Sequence, residues 1–269
     1  ILFIFFVWQP LVNGLILSLF ETKGFDPVRF IGLQNFIDVV QESSFRAAVI
    51  NTFKYTLWSL VLGFPLPILT AVMLNEVKRF KAFFRFTVSF PAIVPGVAAA
   101  ILWSLIYHPT SGLLNSLLSV FGVDAIPWLQ NQNLVIPCIV IMMTWKGFGS
   151  TAILYLASLQ GVNQELYEAM IDGAGVFRKF WNITLPSISG MFSLMLVMQI
   201  IGVFQVMYEP LTMTDGGPNN ASISLMLTSY FYGFRFYQAG RAAAVGTITF
   251  LFLIGLTFLY FYLQRKNDN

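Results

Sequence analysis

Residues 161–186 read GVNQELYEAMIDGAGVFRKFWNITLP, a polar interruption between two long apolar runs that is itself patterned. Asn163 suits a helix N-cap, and Glu165 falls in the first turn, where a carboxylate complements the helix dipole. Leu166, Met170 and Gly173 follow at helical spacing. Gly173 and Gly175 allow a turn, and Val176, Phe177, Phe180 and Trp181 form a second apolar face with Arg178 and Lys179 turned away. Pro186 closes the segment. The pattern predicts two short helices joined by a glycine elbow, a compact protrusion whose shape suits docking to another protein. The competing reading is an amphipathic stretch on lipid headgroups, with Phe177, Phe180 and Trp181 inserted and Arg178 and Lys179 on anionic lipid.

The flanking sequence belongs in a bilayer. Of 269 residues, 57% are hydrophobic and only 10% charged, with a mean hydropathy of +0.74, whereas soluble domains carry about 25% charged residues. A span needs roughly 20 apolar residues, and on that criterion residues 1–20, 49–75, 87–107, 134–159, 189–208 and 242–263 are expected to cross the membrane. The loop at 160–188 lies between the fourth and fifth. No low-complexity linker divides the chain, so residues 1–269 are read as one all-α membrane domain. The first span lacks a charged leader and a small-residue cleavage site, which argues against a signal peptide. Because the chain starts at Ile1, an N-terminal cytoplasmic piece is expected to precede it. Residues 21–47 read as a polar loop, Pro65 and Pro67 are expected to kink the second span, and GLLNSLLSVFG at 112–122 reads as a short surface helix. The single cysteine, Cys138, excludes an internal disulfide or a cysteine-rich metal site, and a net charge of +3 is too small to suggest nucleic acid.

Charge sets the expected orientation. Lys78, Arg79, Lys81 and Arg85 lie between the second and third spans, whereas residues 108–133 carry no lysine or arginine. By the positive-inside rule the first of these loops is cytoplasmic and the second external. Alternation then places 160–188 and the tail with Arg265 and Lys266 in the cytoplasm. Lys23, Arg29, Arg46, Arg235 and Arg241 fall outside, an opposing signal spread over longer loops.

Glu168, Ala169, Gly173, Ile183, Leu185 and Pro186 resemble the EAA loop of permease subunits of binding-protein-dependent ABC importers: E-A-A, a glycine, nine residues, then I-x-L-P. Gly173 to Ile183 keeps the nine-residue gap, while Met170 replaces the second alanine and one residue fewer separates Glu168 from Gly173. Thr214, Asp215, Gly216, Gly217 and Pro218 resemble the T-x-G-G-P turn of the carbohydrate branch of these permeases. Gly32, Leu33, Asn35 and Phe36, with Arg85, Pro91 and Trp103, extend the likeness over nearly the whole chain. The resemblance implies six transmembrane helices with a cytoplasmic EAA-type coupling-helix loop, in a multi-pass subunit of a prokaryotic cytoplasmic membrane. It implies half of a pathway for a carbohydrate, an oligosaccharide in particular, in a chain that is not an enzyme. The implied partners are a second permease subunit of different sequence, two ATPase subunits, an extracytoplasmic solute-binding protein and membrane lipid. No cofactor is implied in this chain; ATP and Mg belong to the ATPase subunits. Carried over by motif, the ATPase-coupling set is Glu168, Ala169, Asp172, Gly173, Ala174, Gly175, Ile183, Leu185 and Pro186.

The sequence contains no G-x-x-x-x-G-K-[ST] phosphate loop, so an ATP-driven reading requires a separate ATPase. In the fifth span Gln199, Gly202, Gln205 and Glu209 recur at intervals of three, three and four, a polar stripe that is costly against lipid. With the aromatic Tyr208 they are the candidate substrate pathway. Helix–helix hydrogen bonding, or an interface position for Glu209, is the plainer alternative. Lys146, midway along the fourth span, costs roughly 2.5–3.5 kcal/mol to insert and would face the pathway, pair with a carboxylate such as Glu209, or snorkel, with a structural or partner-facing role favoured. Asn51 and Lys54 read as interface residues, His108 as a cap or surface group, and Trp58, Trp103 and Trp145 as packing more than sugar contacts. An ABC permease for an amino acid, peptide or polyamine is the alternative within the family. A symporter would be expected to hold several mid-span acids, and an intramembrane enzyme a nucleophile or metal set, neither of which the spans supply.

Overall fold

The computed structural model describes residues 2–77, 79–162, 178 and 180–267. Glu168, Ala169, Asp172, Gly173, Ala174 and Gly175 of the expected coupling set lie outside the described residues. The chain starts with an apolar helix, α1 (Ile4–Leu17), followed by strands β1 (Phe20–Lys23) and β2 (Asp26–Phe30) and helix α2 (Gln34–Gln41). Helix α3 (Ser43–Glu76) runs for 34 residues. Next come α4 (Lys81–Ile93), α5 (Gly96–Ile106), α6 (Leu113–Val120) and α7 (Val135–Gln160). Helices α8 (Phe180–Ser187) and α9 (Ser189–Phe204) follow, then α10 (Tyr208–Thr214), α11 (Leu225–Tyr230) and α12 (Ala239–Asn267). Among the described residues, α3, α7 and α12 are long and apolar enough to cross a membrane alone, and the bent pairs α4–α5 and α8–α9 qualify when each is counted as one span.

The bend between α4 and α5 has a local cause. Pro95 disfavours helical backbone at Val94, which is extended (φ −65°, ψ 128°), and α4 and α5 meet there at 93°. The stretch expected as one passage over 87–107 is therefore two helices. Helices α8 and α9 meet at 70°. In α3 the helix continues in one piece past Pro65 and Pro67, because the π turn Ser59–Gly63 comes immediately before them. Its i→i−5 bond, from Phe64 N–H to the Ser59 carbonyl (2.9 Å), takes up the extra residue.

Two departures concern the segment after α1. Residues 21–47 are not an irregular loop, and the chain is not strictly all-α: β1 and β2 form an antiparallel hairpin with a register shift at Glu21–Thr22, turning at Gly24 (φ +65°). Its pattern, Phe20 against Phe30 and Thr22 against Pro27, is masked by Glu21, Lys23, Asp26 and Arg29. The hairpin is tied to the start of α12. Thr22 Oγ1 accepts from Gly240 N–H (3.1 Å), and Asn35 Nδ2 donates to the carbonyls of Ser18 (2.9 Å) and Phe20 (2.8 Å). Arg241 then binds Glu42 and Asp38, each at 3.0 Å, and the Tyr232 hydroxyl donates to Glu42 (2.5 Å). Burial first, and then that carboxylate, hold the Tyr232 phenol well above its ordinary range.

Between the helices the core is close-packed and partly glycine-dependent. A Cβ on Gly149 of α7 would stand 1.9 Å from the Val88 carbonyl oxygen of α4, so only glycine lets the two backbones meet there. Outward faces stay apolar: Phe6 on α1 and Phe258 and Phe261 on α12 are exposed, as lipid-facing residues are.

Candidate functional site

A cavity of about 260 Å³ lies where α3, α7, α9 and α10 converge, lined by Ser59, Gly63, Thr144, Lys146, Gly147, Gln199, Gly202, Tyr208 and Glu209 among others. The π turn of α3 carries Ser59 and Gly63 into its wall. Gln199 Nε2 donates to Ser59 Oγ, joining α9 to α3. At Gly63 a Cβ would come within 2.9 Å of Thr144 Oγ1, so this glycine sets how near α7 can approach.

The polar stripe does not run along one helix. Helix α9 ends at Phe204, Gln205 is its C-cap, and Met207 is non-helical (φ −145°, ψ −58°) before α10 begins. Pro210 accounts for the break. It has no N–H for the Val206 carbonyl, and in a continuous helix its ring would collide with that group. The Val206 carbonyl instead accepts a 2.5 Å hydrogen bond from Ser224 Oγ. Four of the five expected pathway residues, Gln199, Gly202, Tyr208 and Glu209, line the cavity. Gln205 is exposed and does not.

Glu209 is the buried carboxyl group there, 7% exposed, with Oε2 buried and unpartnered among the described residues. Lys146, half-buried on α7, lines the same cavity without an ion-pair partner among the described residues. The Tyr208 ring is seated against Gly96, where a Cβ would lie 2.7 Å from the ring, so the bend between α4 and α5 and the α9–α10 break meet at one point.

The TDGGPNN turn is anchored by side chains of α3 that the sequence reading had placed at the interface or left aside. Asn51 is buried and donates to the carbonyls of Asn220 (2.7 Å) and Ile223 (3.1 Å). The Tyr55 hydroxyl donates to the Ser222 carbonyl (2.9 Å), and Thr52 Oγ1 accepts from Leu225 N–H (3.1 Å). The available signal was the i, i+1, i+4 spacing of Asn51, Thr52 and Tyr55 within an apolar run. In the turn Gly216 has φ +80°, as do Asp215 (+49°), Asn219 (+50°) and Asn220 (+60°) to a lesser angle; Gly217 does not.

The aromatic candidates separate by position. Trp103 stacks edge-on with Trp145 (5.8 Å) and tilts against Tyr107 (5.4 Å), inside the core; Trp58 is at the outer surface of its helix. His108 is exposed and its Nδ1 accepts from Ser111 N–H (3.3 Å), a local cap. Of the expected coupling residues, Ile183 is buried, Leu185 half-buried and Pro186 exposed.

A bundle of apolar helices, interrupted by bent pairs and enclosing a polar cavity with its own buried charge, is the build of a multi-pass membrane permease. The chain belongs to the family of binding-protein-dependent transport system inner membrane components, which it matches over residues 63–269. It is 33% identical to the probable ABC transporter permease protein YurN of Bacillus subtilis (strain 168), covering 96% of this chain and 91% of that one. It is 31% identical to the trehalose/maltose transport system permease protein MalF of Thermococcus litoralis, over 97% and 88%. Its fold matches a chain of the bacterial alginate ABC transporter solved with its alginate pentasaccharide-bound periplasmic protein, with TM-score 0.85 and 26% identity over 98% and 90%.

Proposed function

We propose that this chain forms half of the translocation pathway of a carbohydrate importer, with an oligosaccharide as cargo, and that the cavity between α3, α7, α9 and α10 is its share of that pathway. The observation that carries the reading is the cavity wall itself. Amide, hydroxyl, ammonium and carboxylate groups face one space within otherwise apolar helices, beside the Tyr208 ring and the bare backbone of Gly147 and Gly202. Such groups are costly in a bilayer unless they serve a polar passenger. A cavity of about 260 Å³ falls just below the roughly 300–1,000 Å³ of ordinary ligand clefts, as half of a shared site would. The named cargoes of two relatives, trehalose/maltose and alginate, support a saccharide.

In this reading the membrane is crossed six times, by α1, α3, α4–α5, α7, α8–α9 and α12, with residues 160–188 and the C-terminus in the cytoplasm. The external cations that oppose this orientation are mostly matched by carboxylates: Arg29 by Glu21, Arg235 by Asp215, Arg241 by Asp38 and Glu42. ATP and Mg act on two partner ATPase subunits, a second permease chain closes the pathway, and a solute-binding protein delivers cargo from outside. ATPase closure moves the loop bearing Glu168, Ala169, Asp172, Gly173, Ala174 and Gly175. The motion passes through Ile183, Leu185 and Pro186 into α8 and α9, whose far end carries Gln199 and Gly202.

The test is copurification followed by charge reversal. The tagged chain should bring down a second permease and an ATPase, and Glu168→Lys should leave ATP hydrolysis running while saccharide uptake falls at least about tenfold. Isolation as a lone functional chain, or normal uptake by the reversed variant, refutes the coupling scheme.

A further inference from the structure

Glu209 and Lys146 face the same cavity from α10 and α7. Glu209 is over nine-tenths buried, with Oε2 lacking any donor among the described residues; its carboxyl group otherwise interacts with Tyr208 and the nearby backbone, and Lys146, which makes no close ion pair among the described residues, attracts it electrostatically. A buried carboxylate only accepts hydrogen bonds and an ammonium only donates them. A buried carboxylate oxygen left without a donor, as Oε2 is, costs more than a neutral group would. Gln199 Nε2 is already committed to Ser59 Oγ, so the available amide does not answer Glu209.

We propose that Glu209 and Lys146 make this cavity selective for the uncharged, polyhydroxylated face of a sugar ring, with one hydroxyl donating to Glu209 and a neighbouring one accepting from Lys146. This rests on the carbohydrate reading and adds the charge class of the passenger. A hydroxyl both donates and accepts, so two adjacent ones satisfy both groups with no net charge left over. A uronate or sugar phosphate would answer Lys146 but repel Glu209. An amino sugar would do the reverse. Gly147 and Gly202, with nothing within 4 Å of an added Cβ, leave the wall open between the two charges.

The experiment uses the assembled importer with its binding protein in proteoliposomes. The probes are the neutral trisaccharide giving the fastest ATP-dependent uptake and its terminal uronate and terminal amino derivatives. Each variant is compared with wild type through the ratio of charged to neutral uptake, because the binding protein's own preference is common to both and cancels. Glu209→Gln should raise the uronate-to-neutral ratio about tenfold or more, and Lys146→Gln should raise the amino-to-neutral ratio similarly. The double variant Glu209→Gln/Lys146→Gln should discriminate against neither, and it keeps the test open if a single unbalanced charge prevents assembly. Purely structural roles would scale all three uptake rates by one common factor, and that result overturns the inference. Uptake of no saccharide at all would instead overturn the carbohydrate reading, and this inference with it.

Discussion

Replacing Gly149 by alanine separates packing from propensity within a single turn of α7. Gly147 and Gly149 are two residues apart and so face nearly opposite sides of the helix. Gly147 has nothing within 4 Å of an added Cβ, while at Gly149 that atom would stand 1.9 Å from the Val88 carbonyl oxygen and 2.6 Å from its carbon. Both contacts are backbone, so no rotamer change relieves them. Restoring even a 3.0 Å separation requires α4 and α7 to part by 3.0 − 1.9 = 1.1 Å. Overpacking of this kind costs about 3 kcal/mol, against which alanine regains about 1 kcal/mol of helix propensity. Gly149→Ala should therefore lose about 2 kcal/mol or more, a fall of roughly 4–8 °C in melting temperature for a chain of this size. Gly147→Ala should be neutral or slightly stabilising, since it has the propensity gain without the clash. The assay is thermal unfolding of the purified, detergent-solubilised complex, with uptake measured beside it. A Gly149→Ala complex that melts and transports as wild type would show that α4 and α7 do not touch backbone to backbone at this point, and the argument would fail.

Two further outcomes concern the side chains around the 215–223 turn and Tyr232. Asn51→Leu strands the carbonyls of Asn220 and Ile223 and should cost about 1–3 kcal/mol, seen as a lower melting temperature; an unchanged melt would mean the turn is held by other contacts. The Tyr232 phenol, raised by burial and by Glu42, keeps its proton in the fold after the unfolded chain has released it near pH ~10. Its stabilisation is present below that pH and is lost as pH rises toward the folded value. Tyr232→Phe should flatten the decline of melting temperature above pH ~10, and identical alkaline slopes would refute the assignment.

What the sequence made legible was what depends on periodicity and composition. The apolar runs around Ser43–Glu76, Val135–Gln160 and Ala239–Arg265 stand out because nothing but a bilayer tolerates them. Gln199 and Glu209, which with Gly202 and Tyr208 line one cavity, stand out in the sequence because polar groups are conspicuous in such runs. The local geometry was less accessible. Placing Gln205 in the stripe assumed an unbroken helix, although Pro210 stands four residues after Val206 and forbids the bond that would continue it. The hairpin at Phe20–Phe30 was hidden by its charged residues and because one of its ties, Thr22 to Gly240 N–H, spans 218 residues. Asn51 looked like an interface residue because its acceptors, 169 and 172 residues away, belong to a turn whose position the spacing does not specify.

Those long-range bonds bear on biosynthesis. Helix α3 is made early, yet its Asn51 amide and Tyr55 hydroxyl find their carbonyl acceptors only 167–172 residues downstream. At a synthesis rate of roughly 5–20 residues per second, these donors wait on the order of ten seconds or more in or near the membrane before the 220–223 turn exists. During that interval they need water, lipid headgroups or an insertase for company. The 220–223 turn thus also ends the vulnerable period of the first of the three long helices, and a ribosome stalled before Asn220 would leave that helix inserted with its polar side chains unclaimed.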